Sequence, residues 1–256
     1  MLQFEQSLQV ENITHIYTSP GKESTTALVN ITLSFPRTDR WTIIGPSGCG
    51  KTSLLLLLAG LLFPSSGRIH FNNRIIRSPQ PEISLLLQDY GLFPWKTVLD
   101  NALFGLALKR TIKLADINRV LAILELLGIR EQQHKHTHEL SGGQRQRVAL
   151  ARTLALEPKY LLMDEPFSAL DALTREQLQD LLLNLWKIFH FTIIFVTHNI
   201  EEAVFMGNNI IILSPAPGRV AHTITNISPG GLARNSAEFH ERCTEVRSLL
   251  EGSGKI

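Results

Sequence analysis

Between Val29 and Phe35 the chain alternates: Val29, Ile31, Leu33 and Phe35 share one face, while Asn30, Thr32 and Ser34 share the other. A period of two marks a strand with one buried and one wetted face, so the opening segment predicts antiparallel β structure. Arg68 to Phe71 and Arg74 to Ile76 flank Asn72-Asn73, a pair that tolerates the positive φ angles of a tight turn, which adds a hairpin to the same sheet. Four other apolar runs do not alternate: Trp41 to Ile44, Ser84 to Leu87, Tyr160 to Met163 and Thr192 to Val196. Strands covered on both faces read this way, as in a parallel central sheet. Helical stretches lie between them, at Lys51 to Leu62, Val148 to Leu156 and Thr174 to Phe189, which is the alternation of an α/β fold.

From Thr97 to Gln146 the pattern is helical without a convincing strand, and Val120, Ile123, Leu124 and Leu127 fall on one helical face. This predicts an inserted helical subdomain. After Ser214-Pro215-Ala216-Pro217-Gly218 come a short β-like piece, a polar loop from Ser228 to Ser236 and an amphipathic helix from Glu238 to Leu250.

Composition narrows the classes. With 256 residues, 44% hydrophobic and 19% charged, the chain can bury a full core and is neither disordered nor fibrous. Lys and Arg number 25 against 23 Asp and Glu, too even a balance to point to a nucleic-acid partner. The longest apolar run, Leu54 to Phe63, is interrupted by Gly60 and is half the roughly 20 residues of a membrane-spanning helix. The stretch Met1 to Gln6 has no basic segment leading into an apolar one, so no secretory signal and a cytosolic setting are expected. Two cysteines, Cys49 and Cys243, suffice for neither a disulfide framework nor a four-ligand zinc site.

Three motifs carry chemistry. Gly45-x-x-x-x-Gly50-Lys51-Thr52 follows the predicted strand Trp41 to Ile44 and opens a helix, the context in which a glycine-rich loop cradles phosphate. Its backbone amides turn inward, the helix start adds positive dipole, Lys51 reaches the β and γ phosphates, and Thr52 can ligate Mg²⁺. Tyr160-Leu161-Leu162-Met163-Asp164-Glu165 ends a buried strand in two carboxylates that point differently. Asp164 suits Mg²⁺ through water, and Glu165 suits a general base polarising an attacking water. Leu140-Ser141-Gly142-Gly143-Gln144 precedes a helix, so Ser141 reads as an N-cap and the glycines expose amides to an anion.

Together with Ser168-Ala169-Leu170-Asp171 and with His198 after the strand Thr192 to Val196, these ordered motifs resemble the ABC ATPases over nearly the whole chain. The resemblance implies a P-loop NTPase (RecA-like) α/β core with an N-terminal antiparallel β subdomain and an inserted helical subdomain. It implies one ABC ATPase domain: 1–92 and 154–214 as core with β subdomain, 93–153 as helical subdomain, 215–256 as C-terminal tail. It further implies a head-to-tail dimer, with a second copy or a paralogous ATPase subunit, holding two ATP molecules at the interface. Each ATP would touch Gly45, Pro46, Ser47, Gly48, Cys49, Gly50, Lys51, Thr52 and Ser53 of one subunit, and Ser141, Gly142, Gly143 and Gln144 of the other. Glu165 would be the base, His198 would contact the γ-phosphate and hold the water in line, and Gln88 would sense metal and water. Thr52, Gln88 and Asp164 would serve Mg²⁺, Asp171 would connect the two sites, and Tyr17 would stack on adenine.

The run Tyr90-Gly91-Leu92-Phe93-Pro94-Trp95-Lys96-Thr97-Val98-Leu99-Asp100-Asn101 holds large apolar groups suited to a groove for a partner helix, although some have an ordinary core role. This run, Met163 to Asp171, and the Ser-Pro-x-Pro-Gly-Arg segment at Ser214 to Arg219 resemble the nitrate/sulfonate/taurine branch of import ATPases. Members of that branch act at the cytoplasmic face of the cell membrane with transmembrane permease subunits and, indirectly, a solute-binding protein. Asn199 departs from the Asp usual after the histidine, Pro36 to Arg40 replaces a Gly-Glu approach to the phosphate strand, and Ala216 replaces a frequent Arg. The rival class, a soluble ABC ATPase acting on DNA or ribosomes, would carry long coiled coils, cysteine-rich zinc modules or two cassettes, and the sequence has none of these. His134, His136 and His138 form a cluster able in principle to bind a transition metal; it reads as a polar surface loop.

Overall fold

The computed structural model describes residues 7–18, 23–225 and 233–253. The N-terminal stretch read for a targeting signal, residues 1–6, and residues 228–232 of the polar loop expected before the last helix lie outside the described residues. Along the chain run β1 (Leu8–Tyr17), β2 (Thr25–Phe35), β3 (Arg40–Ile44), α1 (Lys51–Leu58), β4 (Ser66–Phe71), β5 (Arg74–Ile75), β6 (Ile83–Leu86), α2 (Val98–Ala107) and α3 (Leu114–Leu126). There follow α4 (Gly142–Leu154), β7 (Tyr160–Asp164), α5 (Ala172–Phe189), β8 (Thr192–Thr197), α6 (Ile200–Met206), β9 (Asn209–Leu213), β10 (Val220–Thr225) and α7 (Ala237–Ser253). Two compact units divide these elements, residues 1–80 with 191–256, and residues 81–190.

In the first unit β2, β1, β4 and β5 form an antiparallel sheet in that order, with Val10 opposite Leu33 on one side and Ile69 on the other. The alternation holds from Asn30 onward: Ile31 and Phe35 are fully buried and Leu33 half-buried, whereas Asn30, Thr32 and Ser34 face solvent. Before it Leu28 is buried and Val29 only half-buried, because the register shifts at Asn30, whose φ is 53°. Asn72 and Asn73 turn the β4–β5 hairpin with φ of 52° and 61°, the pair of positive angles that matches strand twist. A second sheet runs β10, β9, β3, β8, with β3 parallel to both β8 and β9 and every residue of β3 and β8 buried. Because Ile44 pairs with Thr197 in a parallel ladder, the segments that follow β3 and β8 emerge at the same carboxyl edge.

Helix α1 follows at once, and its Leu54, Leu55, Leu57 and Leu58 are buried, each contributing about 1.5–3 kcal/mol of transfer free energy. The helix stops four residues short of the Leu62 expected from the apolar run. Gly60 N–H donates to the Leu57 carbonyl and Leu61 N–H to the Leu56 carbonyl, the paired bonds that close a helix around a terminal glycine.

In the second unit β6 and β7 pair in parallel, Ile83 with Tyr160 and Leu86 with Met163, so both strands also end at one carboxyl edge. Helices α2, α3 and α4 pack on one another, and Val120, Ile123, Leu124 and Leu127 are all buried, as their spacing predicts. Helix α4 begins at Gly142 with Ser141 as its N-cap, the start that the Leu140–Gln144 motif predicts, ahead of the apolar stretch from Val148.

Candidate functional site

The phosphate loop belongs to the first unit. Its geometry starts at Gly50, which caps α1 with φ 95° and ψ 13°, a left-handed conformation that a side chain resists. A Cβ there would also lie 2.8 Å from the Ala27 carbonyl oxygen and 2.7 Å from Leu28 Cδ2. The chain thus turns sharply into the helix, whose first four N–H groups have no intrahelical acceptor and point at the loop mouth. Lys51 is 7% exposed, and its Nζ donates to the carbonyls of Gly45 at 2.8 Å and Pro46 at 2.9 Å. These bonds fix the ammonium across the loop. The Cys49 thiol is buried beside it, and burial raises its pKa against the lowering influence of Lys51.

Tyr17 reaches the same helix: its hydroxyl lies 2.9 Å from Ser53 Oγ, its ring stands edge-on to His15, and it stays 42% exposed. At the end of β8, His198 is exposed between two fixed neighbours. Thr197 Oγ1 donates to the buried Glu202 carboxylate at 2.5 Å, and Asn199 Oδ1 accepts the Glu202 N–H at 3.2 Å as the N-cap of α6. Asn caps a helix as well as Asp does, so the departure at position 199 keeps the turn that presents His198.

In the second unit, Gln88 follows β6, Asp164 ends β7 and Glu165 follows it, at the common carboxyl edge of the pair. Asp164 is 8% exposed. Glu165 has φ 45°, a left-handed conformation that costs a non-glycine residue about 1–3 kcal/mol and persists only where neighbours over-determine it. Ser168 supplies part of that determination, donating to the Glu165 carbonyl from Oγ at 3.0 Å and from its N–H at 3.2 Å. Gln88 Nε2 in turn donates to Ser168 Oγ at 3.3 Å.

Ser141 Oγ accepts the Gln144 N–H at 3.3 Å, and Gln144 Oε1 accepts the Ser141 N–H at 3.0 Å, a reciprocal capping box. The side chain of Gln144 is therefore spent on its own helix, while Gly142 and Gly143 present amides. Asp171 likewise caps α5, accepting the Thr174 N–H at 3.0 Å, which holds its carboxyl below the usual carboxylate range. His136 and His138 stack at 5.7 Å, and the His136 N–H binds the Glu139 carboxylate, so the histidine run builds the short turn Thr137–Glu139 ahead of Ser141.

A model of the ABC transporter family matches residues 28–168, the span that holds the phosphate loop, the Ser141 segment and the carboxylate pair. The chain belongs to the ABC transporter family. An uncharacterized ABC transporter ATP-binding protein of Methanocaldococcus jannaschii is 39% identical over 95% of this chain and 91% of its own length. The taurine import ATP-binding protein TauB of Pseudomonas syringae pv. tomato is 46% identical over 84% of this chain and 81% of its own. Among solved structures, a dimeric ATP-binding cassette in a post-hydrolysis state with ADP and Pi superposes with a TM-score of 0.76 at 29% identity, covering 86% of this chain and 99% of that one.

As a member of this family the chain binds and hydrolyses ATP, on the P-loop NTPase fold that its motifs imply. Several residues that shape these loops were not legible from the motifs. Gly218 is one: its N–H donates to the Ala27 carbonyl and its carbonyl accepts the Val29 N–H, both at 2.9 Å. A Cβ on it would stand 2.0 Å from the Cys49 carbonyl oxygen. At the other end of the loop, a Cβ on Gly45 would lie 3.0 Å from the Leu213 carbonyl oxygen. The Ser214–Arg219 segment thus backs the phosphate loop, a role its Pro-Gly spelling signals only as a turn.

Asn101 is another. It is fully buried, its Nδ2 donates to the carbonyls of Phe93, Lys96 and Thr97 at 3.0–3.2 Å, and its Oδ1 accepts the Phe93 N–H at 2.9 Å. It clamps a loop that presents Trp95 at 71% exposure, with Phe93 packed on Phe104 at 4.4 Å. Phe93 and Phe104, with Leu85, Arg152 and Leu156, line a cavity of about 310 Å³.

Proposed function

We propose that this chain is the ATPase subunit of an importer for a small anionic or zwitterionic solute of the taurine, sulfonate or nitrate class. It would work as a dimer with a second copy or a paralogue, bound to transmembrane permease subunits that receive solute from a binding protein. The observation that carries the reading is the clamped loop 93–97. A 71% exposed Trp95 next to an aromatic-lined cavity is a costly surface for a chain that works alone, and it suits the apolar face of one inserted helix. Identity of 46% to a taurine import ATP-binding protein supports the solute class, as does the Ser-Pro-x-Pro-Gly-Arg segment.

Hydrolysis of a phosphoanhydride needs positioning and charge neutralisation more than covalent chemistry. Lys51 and the amide-rich start of α1 would bind the phosphates, and the Ser141-Gly142-Gly143 helix start of the other subunit would close over the γ-phosphate. Tyr17 would stack on adenine. Glu165 would take a proton from the attacking water, His198 would hold that water in line, Gln88 would orient it, and Asp171 would link the two sites. Thr52, Gln88 and Asp164 offer hard oxygen donors with one carboxylate among them, which fits Mg²⁺, an ion that relies on phosphate oxygens and few protein ligands. When bound, Mg²⁺ supplies charge neutralisation at the phosphates.

The test is ATP turnover by the chain assembled with its permease and binding protein in proteoliposomes, with taurine, an alkanesulfonate, nitrate and an unrelated sugar offered in turn. One of the first three should stimulate turnover severalfold. Stimulation by the sugar alone, or assembly without any permease, would reject the assignment.

A further inference from the structure

The left-handed turn at Glu165 is held from a second direction by a side chain outside the recognised motifs. Gln146 lies on α4, is 1% exposed, and donates from Nε2 to the carbonyl of Pro166, the residue that follows Glu165. Its other end is engaged as well: Gln146 Oε1 accepts the Tyr90 hydroxyl at 3.2 Å. A primary amide can face either way, and the Pro166 carbonyl, which can only accept, selects the orientation in which the NH₂ group faces it and the oxygen is left to accept from the Tyr90 hydroxyl. Tyr90 is itself fixed, because Arg152 donates to the carbonyls of Tyr90 at 2.5 Å and Gly91 at 2.7 Å. One buried amide therefore joins the segment after Gln88 to the turn that presents Glu165.

We infer that Tyr90 and Gln146 form a positioning pair that holds the Glu165 turn, acting through its backbone and not on the nucleotide. The inference rests on the reading of Glu165 as the general base. Removing the donor at Gln146 leaves the Pro166 carbonyl without its partner and frees the Glu165 peptide to relax from φ 45° toward ordinary angles, which moves the carboxylate. Phosphate binding should change little, since the hydrogen bonds that hold Lys51 run to the Gly45 and Pro46 carbonyls of its own loop.

The experiment compares full-length Gln146→Glu, Tyr90→Phe, the double variant and Glu165→Gln, reading kcat, KM for ATP, equilibrium affinity for a fluorescent ATP analogue, and melting temperature. Gln146→Glu keeps an acceptor for Tyr90 and, assayed at alkaline pH so that its carboxyl is ionised, cannot donate to Pro166, so kcat relative to wild type at that pH should fall at least tenfold with KM and affinity within twofold. Tyr90→Phe, the gentler change, should lower kcat about threefold, and the double variant should be no slower than Gln146→Glu. Two results overturn the inference: wild-type kcat in both single variants, or KM and affinity losses that parallel the fall in kcat. If those results come with a dead Glu165→Gln, only the positioning pair fails. Full turnover by Glu165→Gln would remove the base assignment and the inference together.

Discussion

Replacing Gly218 by Ala adds one methyl group, and its effect can be worked out from the packing behind the phosphate loop. The new Cβ would stand 2.0 Å from the Cys49 carbonyl oxygen, whereas unbonded carbon and oxygen stay more than about 3 Å apart, so something must move by about 1 Å. Gly218 is pinned to β2 by its two 2.9 Å backbone bonds, and the loop around it is closed by a Ser214 N–H to Arg219 carbonyl bond of 2.9 Å. The Cys49 peptide should therefore be the part that yields. Overpacking of this kind costs about 1–3 kcal/mol. If that cost falls on the loop conformation that binds phosphate, nucleotide affinity drops by about 5–150-fold, at about 1.4 kcal/mol per decade. The assay is titration with a fluorescent ATP analogue alongside steady-state KM and thermal melting. Wild-type affinity in Gly218→Ala would show that the Ser214–Arg219 segment is not a rigid backing and would refute the reasoning.

Glu165→Gln should bind ATP with near-wild-type affinity yet retain it unhydrolysed, which a single-turnover filter assay would reveal; release of ADP at the normal rate would contradict the base assignment. Asn101→Ala removes four hydrogen bonds from a fully buried site and should lower unfolding free energy by about 2–4 kcal/mol. Urea melts measure that loss, and pull-down should show weakened permease capture at a temperature where the chain remains folded. Burial, with Glu201 adding to it, pushes the Cys243 thiol up to about 11, and burial also raises Cys49. A raised folded-state value means fewer thiolates at pH 8 than in the unfolded chain, so both thiols should react slowly with iodoacetamide until denaturant is added. Rapid labelling of the native chain would show that one of the two thiols is not enclosed.

Legibility followed physical scale. Strands covered on both faces spell themselves as unbroken apolar runs, which is why β3, β7 and β8 were readable to within a residue at either end. The phosphate loop and Ser141 were readable because local rules fix them: a glycine where φ must be positive, a serine whose hydroxyl meets an N–H three residues on. The end of α1 was not, since leucine propensity runs on through Leu62 and only the bonds around Gly60 stop it. Gly218, Asn101 and Gln146 escaped for a further reason. Each acts on a segment distant in sequence or on backbone carbonyls that no side-chain pattern reports, so their roles appear only when the fold brings Cys49, Phe93 and Pro166 to them. Trp95 was ambiguous between core and partner surface, and its exposure removes the core reading.

The most direct test of the account is ATP-driven uptake in proteoliposomes that hold the dimer and its permease, with labelled taurine and binding protein outside and ATP on the cassette side. Wild-type chain should accumulate solute only with ATP, and Lys51→Ala should abolish accumulation while leaving the complex assembled. Accumulation without ATP, or undiminished by Lys51→Ala, would contradict it.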